Sequence, residues 1–353
     1  MTTPNILALD LGKFKSVACL YPRGGKGMPT FLTLASTREV IADLLARTAP
    51  SVVVLEACTL AGWVHDLCLE RGLACKVANT AGEAWRFKNL KRKTDKDDAL
   101  RLAQLEDLGQ LPTVCVPPPE VRQRRALIAA RQRLVGQRVR VQNRLRALLL
   151  AQGIDAPAGA AAWASAGLAV FEGHARPLAD CAAGEEWRGL IHQALAEYRF
   201  LLAAIAESER KLDAMGKAGP ADRLLRTVPG VGPRTAEAVA AWLHEPGRFR
   251  SGKEVGAYAG LVPRQHQSGE TDRRGRITKR GPGLLRKLLV ECAWAMLRYN
   301  RWASATYARL RRGKARSKQA VVALARKLLV RLWAMLRDGV PWREDAAEAV
   351  ACA

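Results

Sequence analysis

Over the first eighty residues the apolar positions fall in short runs broken by turn residues. "NILALDLGKFKSVACLYP" holds two such runs, at 6–11 and 16–21, and "MPTFLTLAS" holds a third; each has the length of a β-strand. "TREVIADLLARTAP" changes to helical spacing, with Thr37 placed as N-cap and Pro50 as stop. "SVVVLEAC" is continuously apolar, as a central strand buried on both faces is. "LAGWVHDLCLERG" reads as a helix closed by Gly72, "ACKVAN" as a further strand, and the segment after Thr94 as a helix start. The order β-β-β-α-β-α-β-α, with neighbouring strands first and helical crossovers later, predicts a mixed sheet with helices packed on it.

After "VPPPE" (116–120) the period changes. Leu127, Leu134, Val141 and Leu148 recur at every seventh position, with Ile128, Val135 and Leu149 beside them. A second series runs through Ile191, Tyr198, Ile205 and Leu212, with Leu195 and Leu202 added. Two long helices with seven-residue apolar stripes predict a coiled-coil arm, its halves joined through the Ala/Gly/Pro-rich stretch 151–184. A third unit starts near Asp222. There "LLRTVPGVGPRTAEAVAAWL" reads as helix, tight turn and helix, followed by a glycine-rich basic segment and by helices over 284–299 and 317–337. The expected division is 1–115, 116–220 and 221–353.

Charge narrows the partners. The chain carries 57 lysines and arginines against 33 acids, a formal net charge of +24, and such a field favours a polyanion, nucleic acid first. Residues 117–150 alone hold nine arginines, one acid and no lysine. Arg122, Arg124, Arg125, Arg131 and Arg138 are the candidate phosphate contacts on that helix, and the stretch 309–331, with nine basic residues and no acid, points the same way. No apolar run reaches the about 20 residues of a spanning helix, and "MTTPNILALDLG" has no basic stretch before its apolar residues. A cytoplasmic, nucleoid-associated protein with no membrane partner is the expectation. The eight cysteines (19, 58, 68, 75, 115, 181, 292 and 352) form no CxxC pair and read as buried, reduced thiols.

In so basic a chain, carboxylates placed together stand out. Asp10 ends an apolar strand, Glu56 ends another, and Asp95 and Asp98 are three apart on one face of a helix start. Singly, such acids are turn formers, solvated charges or partners of a helix dipole. In the order strand-Asp, strand-Glu, helix-DxxD they suggest hard oxygen donors converging on divalent cations, Mg²⁺ or Mn²⁺, which serve phosphodiester chemistry. Asp97 points to another face and reads as a bystander. In the third unit, "PGVGPRTA" looks like the turn of a helix-hairpin-helix, with Gly230 and Gly232 allowing backbone to approach a phosphate. Ser268 precedes Gly269 among Arg264, Arg273, Arg274, Arg276, Lys279 and Arg280. A hydroxyl amid guanidiniums can attack a phosphodiester whose charge they stabilise; it can equally be a turn residue. His266 is the nearest candidate base.

Taken in order, "ALDLGKFKSVACL", "VVLEA", "KTDKDDALRLA", "PGVGPRTA" and "GLVPRQHQSGETDRRGRITKRG" resemble the DEDD-type insertion-sequence transposases, over about residues 5–115 and 222–300. The resemblance implies an α/β RNase H/RuvC-like N-terminal domain, a helical coiled-coil arm and a mainly α C-terminal domain with a helix-hairpin-helix. It implies that Asp10, Glu56, Asp95 and Asp98 bind Mg²⁺ and that Ser268 is a nucleophile forming a transient phosphoserine link to DNA. It implies a composite site assembled in a homo-oligomer, a dimer or tetramer, acting on donor and target double-stranded DNA; in some members a structured noncoding bridge RNA is the guide. Gln267 stands where members commonly have a second serine, and Gly281-Pro282 where they often have Gly-Asn. Two other functions compete: a RuvC-like structure-selective junction nuclease using the tetrad and water only, and a non-catalytic nucleic-acid-binding protein.

Overall fold

A computed structural model of the chain describes residues 5–25, 27–79, 94–268, 271–313 and 315–343, and for 266–268 and 271–274 the backbone alone. It forms two compact units, residues 1–119 and 120–353.

The first unit is the expected mixed sheet with helices on it. Strands β1 (Asn5–Asp10), β2 (Lys15–Pro22) and β3 (Thr30–Ala35) form an antiparallel meander. Helix α1 (Arg38–Thr48) leads to β4 (Val52–Glu56), which adds in parallel beside β1, and α2 (Ala61–Glu70) leads to β5 (Cys75–Ala78), which adds in parallel beside β4. Thr37 caps α1 as predicted, its side chain accepting from the Val40 N–H. A two-residue strand, β6 (Thr113–Val114), closes the sheet antiparallel to β5 and completes the order β3-β2-β1-β4-β5-β6.

Alternation along the central strands divides the core. Leu7, Leu9, Val53 and Leu55 bury against α1 and α2 through Ile41, Leu44, Val64 and Leu67. Ile6, Ala8, Val52 and Val54 bury on the opposite face against Ala99, Leu102 and Ala103 of α3 (Asp95–Asp107). Full burial of a leucine or isoleucine side chain contributes about 1.5–3 kcal/mol, and this sheet is covered on both faces over its central strands.

In the second unit, α4 (Pro119–Leu150) and α6 (Glu186–Ala218) carry the two heptad series and pack together within one chain, although Leu202 of the second series is exposed and Leu201 is buried instead. Val141, Leu145 and Leu149 of α4 bury with Ile191, Leu195, Tyr198 and Leu201 of α6. Arg131 pairs with Glu209 and Arg144 with Glu197, so as one helix advances the other runs back, and the pair is antiparallel. The connection holds a helix not anticipated from its composition, α5 (Ser165–His174), whose Phe171 is fully buried and stacks 5.5 Å from Trp163.

The remainder is mainly helical: α7 (Pro220–Leu225), α8 (Pro233–Trp242), α9 (Gly252–Tyr258), α10 (Gly283–Met296), α11 (Arg301–Arg312) and α12 (Ser317–Asp338). Between α9 and α10 lies an antiparallel hairpin, β7 (Pro263–Ser268) and β8 (Thr271–Ile277), in the segment read from sequence as glycine-rich and basic, with no strand assigned. Cys19, Cys68 and Cys292 are buried, but Cys58 and Cys115 are exposed, so burial does not hold for all the thiols; Cys352 lies outside the described residues. Among the described residues no helix is long and apolar enough to cross a membrane.

Candidate active site

Two pairings and one helix position the acids. Leu9 of β1 lies opposite Leu55 of β4 in a parallel ladder, and the next residues are Asp10 and Glu56. Side chains alternate across a strand, so Asp10 shares a face with Ile6 and Ala8, and Glu56 with Val52 and Val54. That is the face α3 covers. Both acids are half-buried.

Asp95 and Asp98 occupy the first turn of α3, on the stripe continued by Ala99 and Leu102, since residues three, four and seven apart share a helical face. Which end of the sheet this turn overlies follows from the other end of the helix. Glu106, 5% exposed, accepts from Lys76 Nζ at 2.7 Å and pairs with Arg23 at 3.5 Å, and Asp107 accepts from the Gly24 N–H at 2.9 Å. Arg23 and Gly24 follow Pro22, which pairs with Asn5 at the start of β1. Helix and strand are each about 20 Å long, so the first turn of α3 points toward the end where Asp10 and Glu56 leave the sheet. Asp98 is half-buried and Asp95 exposed.

Asp97 has a separate task. Its Oδ2 accepts from the Thr94 N–H at 3.1 Å and from the Thr94 hydroxyl at 2.6 Å, while the Asp97 N–H donates to Thr94 Oγ1 at 3.3 Å. This capping box starts α3 and turns Asp97 away from the sheet. The basic run 91–93 before it lies outside the described residues. The four remaining acids present only hard carboxylate oxygens, a donor set that fits a divalent Mg²⁺-type ion.

The serine-bearing segment has a fixed base. Gly260 and Gly281 both have positive φ, +66° and +75°. An added Cβ would stand 2.0 Å from the Arg280 carbonyl oxygen at Gly260, and 1.9 Å from that of Tyr258 at Gly281. Backbone therefore crosses backbone where only glycine fits. Arg286 Nη1 donates to the carbonyls of Ala259, Arg280 and Gly281 at 3.0, 2.8 and 3.1 Å, and the Lys279 N–H donates to Gly260 at 3.1 Å. From this base the hairpin runs out to Ser268, which pairs with Thr271 as the last backbone pair. The side chains of His266, Gln267, Ser268, Arg273 and Arg274 lie outside the described residues. Arg264, Arg276, Lys279 and Arg280 are exposed.

The arginines of α4 divide into two groups. Arg124 Nη2 donates to Asp222 at 2.6 Å, Arg125 Nε to the Ala241 carbonyl at 2.9 Å, and Arg131 Nε to Glu209 at 2.9 Å. These three candidate phosphate contacts are committed within the fold. Arg122 and Arg138 are half-buried, and the exposed arginines include Arg133 and Arg140. Of the turn glycines, Gly230 (φ +91°) faces inward, where a Cβ would meet Met296 at 2.7 Å, while Gly232 faces open space at the start of α8.

Sequence reasoning missed Glu106 and Asp107, which orient α3, and Arg286, which pins the hairpin. Their partners are far away in the chain, and no local spacing announces them.

Comparison with known families accords with this layout. The family described as "Transposase IS116/IS110/IS902 family" matches residues 222–308, and the DEDD-type IS110 family described as "Transposase" matches residues 7–152. A putative transposase of Sinorhizobium fredii, y4rJ, is 30% identical over 374 residues, spanning 95% of this chain and 92% of the relative. A probable family 20 transposase of Pseudomonas aeruginosa is 33% identical over 309 residues, spanning 85% and 88%. The solved structure of Thermus thermophilus RuvC is 13% identical and covers 31% of this chain and 99% of its own, at a TM-score of 0.23, too low to carry an argument.

Proposed function

Since the chain belongs to the IS116/IS110/IS902 family of insertion-sequence transposases, enzymes that cut DNA and transfer its strands, we propose that it does so with an acidic tetrad and a serine nucleophile. The observation that carries this reading is the shared face of Asp10 and Glu56, at the strand ends toward which the first turn of α3 points. Residues 1–115 are a RuvC-like catalytic domain, 116–220 an arm for oligomerisation and nucleic-acid contact, and 221–353 the transposase domain with its helix-hairpin-helix.

Asp10, Glu56, Asp95 and Asp98 hold Mg²⁺ or Mn²⁺. The bound ion supplies charge neutralisation at the phosphate and activation of the attacking oxygen. Ser268 Oγ forms a bond to the scissile phosphorus and loses its proton. The P–O bond to the leaving strand breaks, and the leaving oxygen gains a proton. The phosphoserine link conserves the phosphodiester energy, and attack by another strand's hydroxyl reverses the step, frees Ser268 and rejoins DNA. Arg264, Arg273, Arg274, Arg276, Lys279 and Arg280 stabilise the charge that builds on the phosphate oxygens. Gly232 and the exposed arginines of α4 hold phosphates of the DNA or of a structured guide RNA. The working form is a dimer or tetramer.

The test uses the full-length protein, Mg²⁺ and duplexes carrying the element's ends and target. Rejoined products and a covalent protein–DNA adduct, both absent in Ser268→Ala, are expected. Strand cleavage that persists undiminished in Ser268→Ala identifies a junction nuclease using the tetrad and water. Sequencing the RNA that survives a high-salt wash, after expression with the native flanking DNA, tests guidance. A single discrete RNA from the flank supports it, and bulk RNA or none rejects it.

A further inference from the structure

Residues 292–337 contain twelve arginines and lysines and no aspartate or glutamate. Four aromatic side chains stand in this acid-free stretch where α10 passes into α11: Trp302 is buried, and Trp294, Tyr299 and Tyr307 are not. Trp294 is 45% exposed and Tyr299 68%. The Trp294 ring lies 6.4 Å from that of Tyr307, the planes inclined by 50°. Cys292, Ala293 and Met296, its neighbours on α10, belong to the buried core of the C-terminal region, and Trp294 does not. Exposing a large ring leaves water on apolar surface that folding ordinarily covers.

The charges around these rings are mostly positive; the one acid near Trp294, Glu291 a turn earlier on α10, is exposed and pairs with Lys287 at 3.7 Å. Arg298 and Arg301 are exposed beside Tyr299, and Arg309 is exposed further along α11. Burial first, and then the guanidiniums of Arg309 and Arg326, pull the Lys327 ammonium below its ordinary pKa. An apolar protein partner would account for the rings but not for the basic rim; an anionic membrane surface would suit both, but the family's members are transposases, whose polyanion is DNA. Duplex DNA would account for the charge but not for the rings, since its base faces are stacked away. An unpaired strand satisfies both: its bases stack on aromatic faces while its phosphates track a positive groove.

We propose that the α10–α11 junction is a binding site for an unpaired nucleic-acid strand. Trp294 and Tyr299 offer ring faces to its bases, and Arg298, Arg301 and Arg309 hold its phosphates. The inference rests on a nucleic-acid partner but not on the tetrad or on Ser268. The source of the strand is DNA opened during strand exchange or a loop of RNA, and the two share this chemistry.

Fluorescence anisotropy of the full-length protein tests it, with labelled single-stranded DNA, single-stranded RNA of the same sequence, and the matching duplex, over a range of salt. Trp294→Ala should lose about tenfold in affinity for the unpaired strand with the salt slope and duplex affinity unchanged, and Trp294→Phe should recover most of it. Arg298→Gln with Arg301→Gln should flatten the salt slope by about one to two phosphates. Whichever strand responds, DNA or RNA, names the source. Unchanged single-strand affinity in Trp294→Ala overturns the proposal. Photocrosslinking of the native protein to a bromouracil strand needs no variant: adducts on the peptide carrying Trp294 and Tyr299 are expected, and adducts confined to other peptides overturn it. Asp10→Asn and Ser268→Ala should keep this binding, so failure of the catalytic reading is separately visible.

Discussion

Asp10 and Glu56 stand at equivalent positions on neighbouring parallel strands, each one residue beyond the Leu9–Leu55 pair. The hydrophobic alternation that buries the strands also aims the two carboxylates to one face, so site geometry and core packing come from the same period-two pattern. Glu106 and Asp107 complete the arrangement from the opposite end of α3, through Lys76, Arg23 and Gly24.

Asp10→Asn keeps the shape of the side chain and removes its charge. DNA strand cleavage should fall by about a thousandfold, or ~4 kcal/mol of barrier. The variant should also lose the rise in unfolding temperature that Mg²⁺ gives the native protein, because a ligand bound only by the folded state stabilises it. A thermal scan with and without Mg²⁺ separates the effects. An equal rise in both proteins would remove Asp10 from the metal site.

Asp97 should behave oppositely to its neighbour. Thr94→Ala or Asp97→Ala removes the capping box of α3 and should cost about 1 kcal/mol of stability, read from urea midpoints, with cleavage by the folded protein retained. Asp98→Ala should abolish cleavage at little cost in stability. The reverse pattern would exchange the two residues' roles.

Gly281→Ala places a methyl group 1.9 Å from the Tyr258 carbonyl oxygen at a φ of +75°. The left-handed conformation alone costs about 1–3 kcal/mol in a non-glycine residue, and the clash adds to it. The base of the Ser268 hairpin must shift, so rejoining should fail at temperatures where circular dichroism still reports native helix. Normal rejoining by this variant would show that the hairpin base does not position the serine.

The strands around Asp10 and Glu56 were legible because alternation and apolar runs are local. Thr94, Asp95, Asp97 and Asp98 were legible because a helix start has its own spacing. Strand β6 was not, since two residues show no period. Nor was α5, whose alanines and glycines resemble a linker until Phe171 finds its cavity beside Trp163. The hairpin strands PRQHQS and TDRRGRI carry almost no apolar residues; backbone pairing and the Gly260–Gly281 crossing hold them, and neither leaves a hydrophobic trace. Counting arginines could not tell Arg124 and Arg131, tied to Asp222 and Glu209 at 98 and 78 residues' distance, from those left to solvent.

Glu237 makes stability depend on pH. It is 2% exposed, and burial raises its carboxyl from the ordinary 4.5 to about 7, with Asp222 pushing in the same direction and Arg234, Arg124 and Arg131 opposing. The Arg234 guanidinium lies 3.3 Å away and also pairs with Asp213. A raised carboxyl favours the neutral form in the fold. Its contribution is therefore fully present below pH about 4.5 and lost as the pH rises through about 7. The displacement corresponds to a loss of order 3 kcal/mol. Glu237→Gln stays neutral, so its stability relative to the native protein should grow from near parity at pH 5 to a gain of up to that size at pH 8. Urea unfolding of both proteins across this range measures the difference. A difference that does not change with pH would mean that the carboxyl ionises in the fold as it does in water.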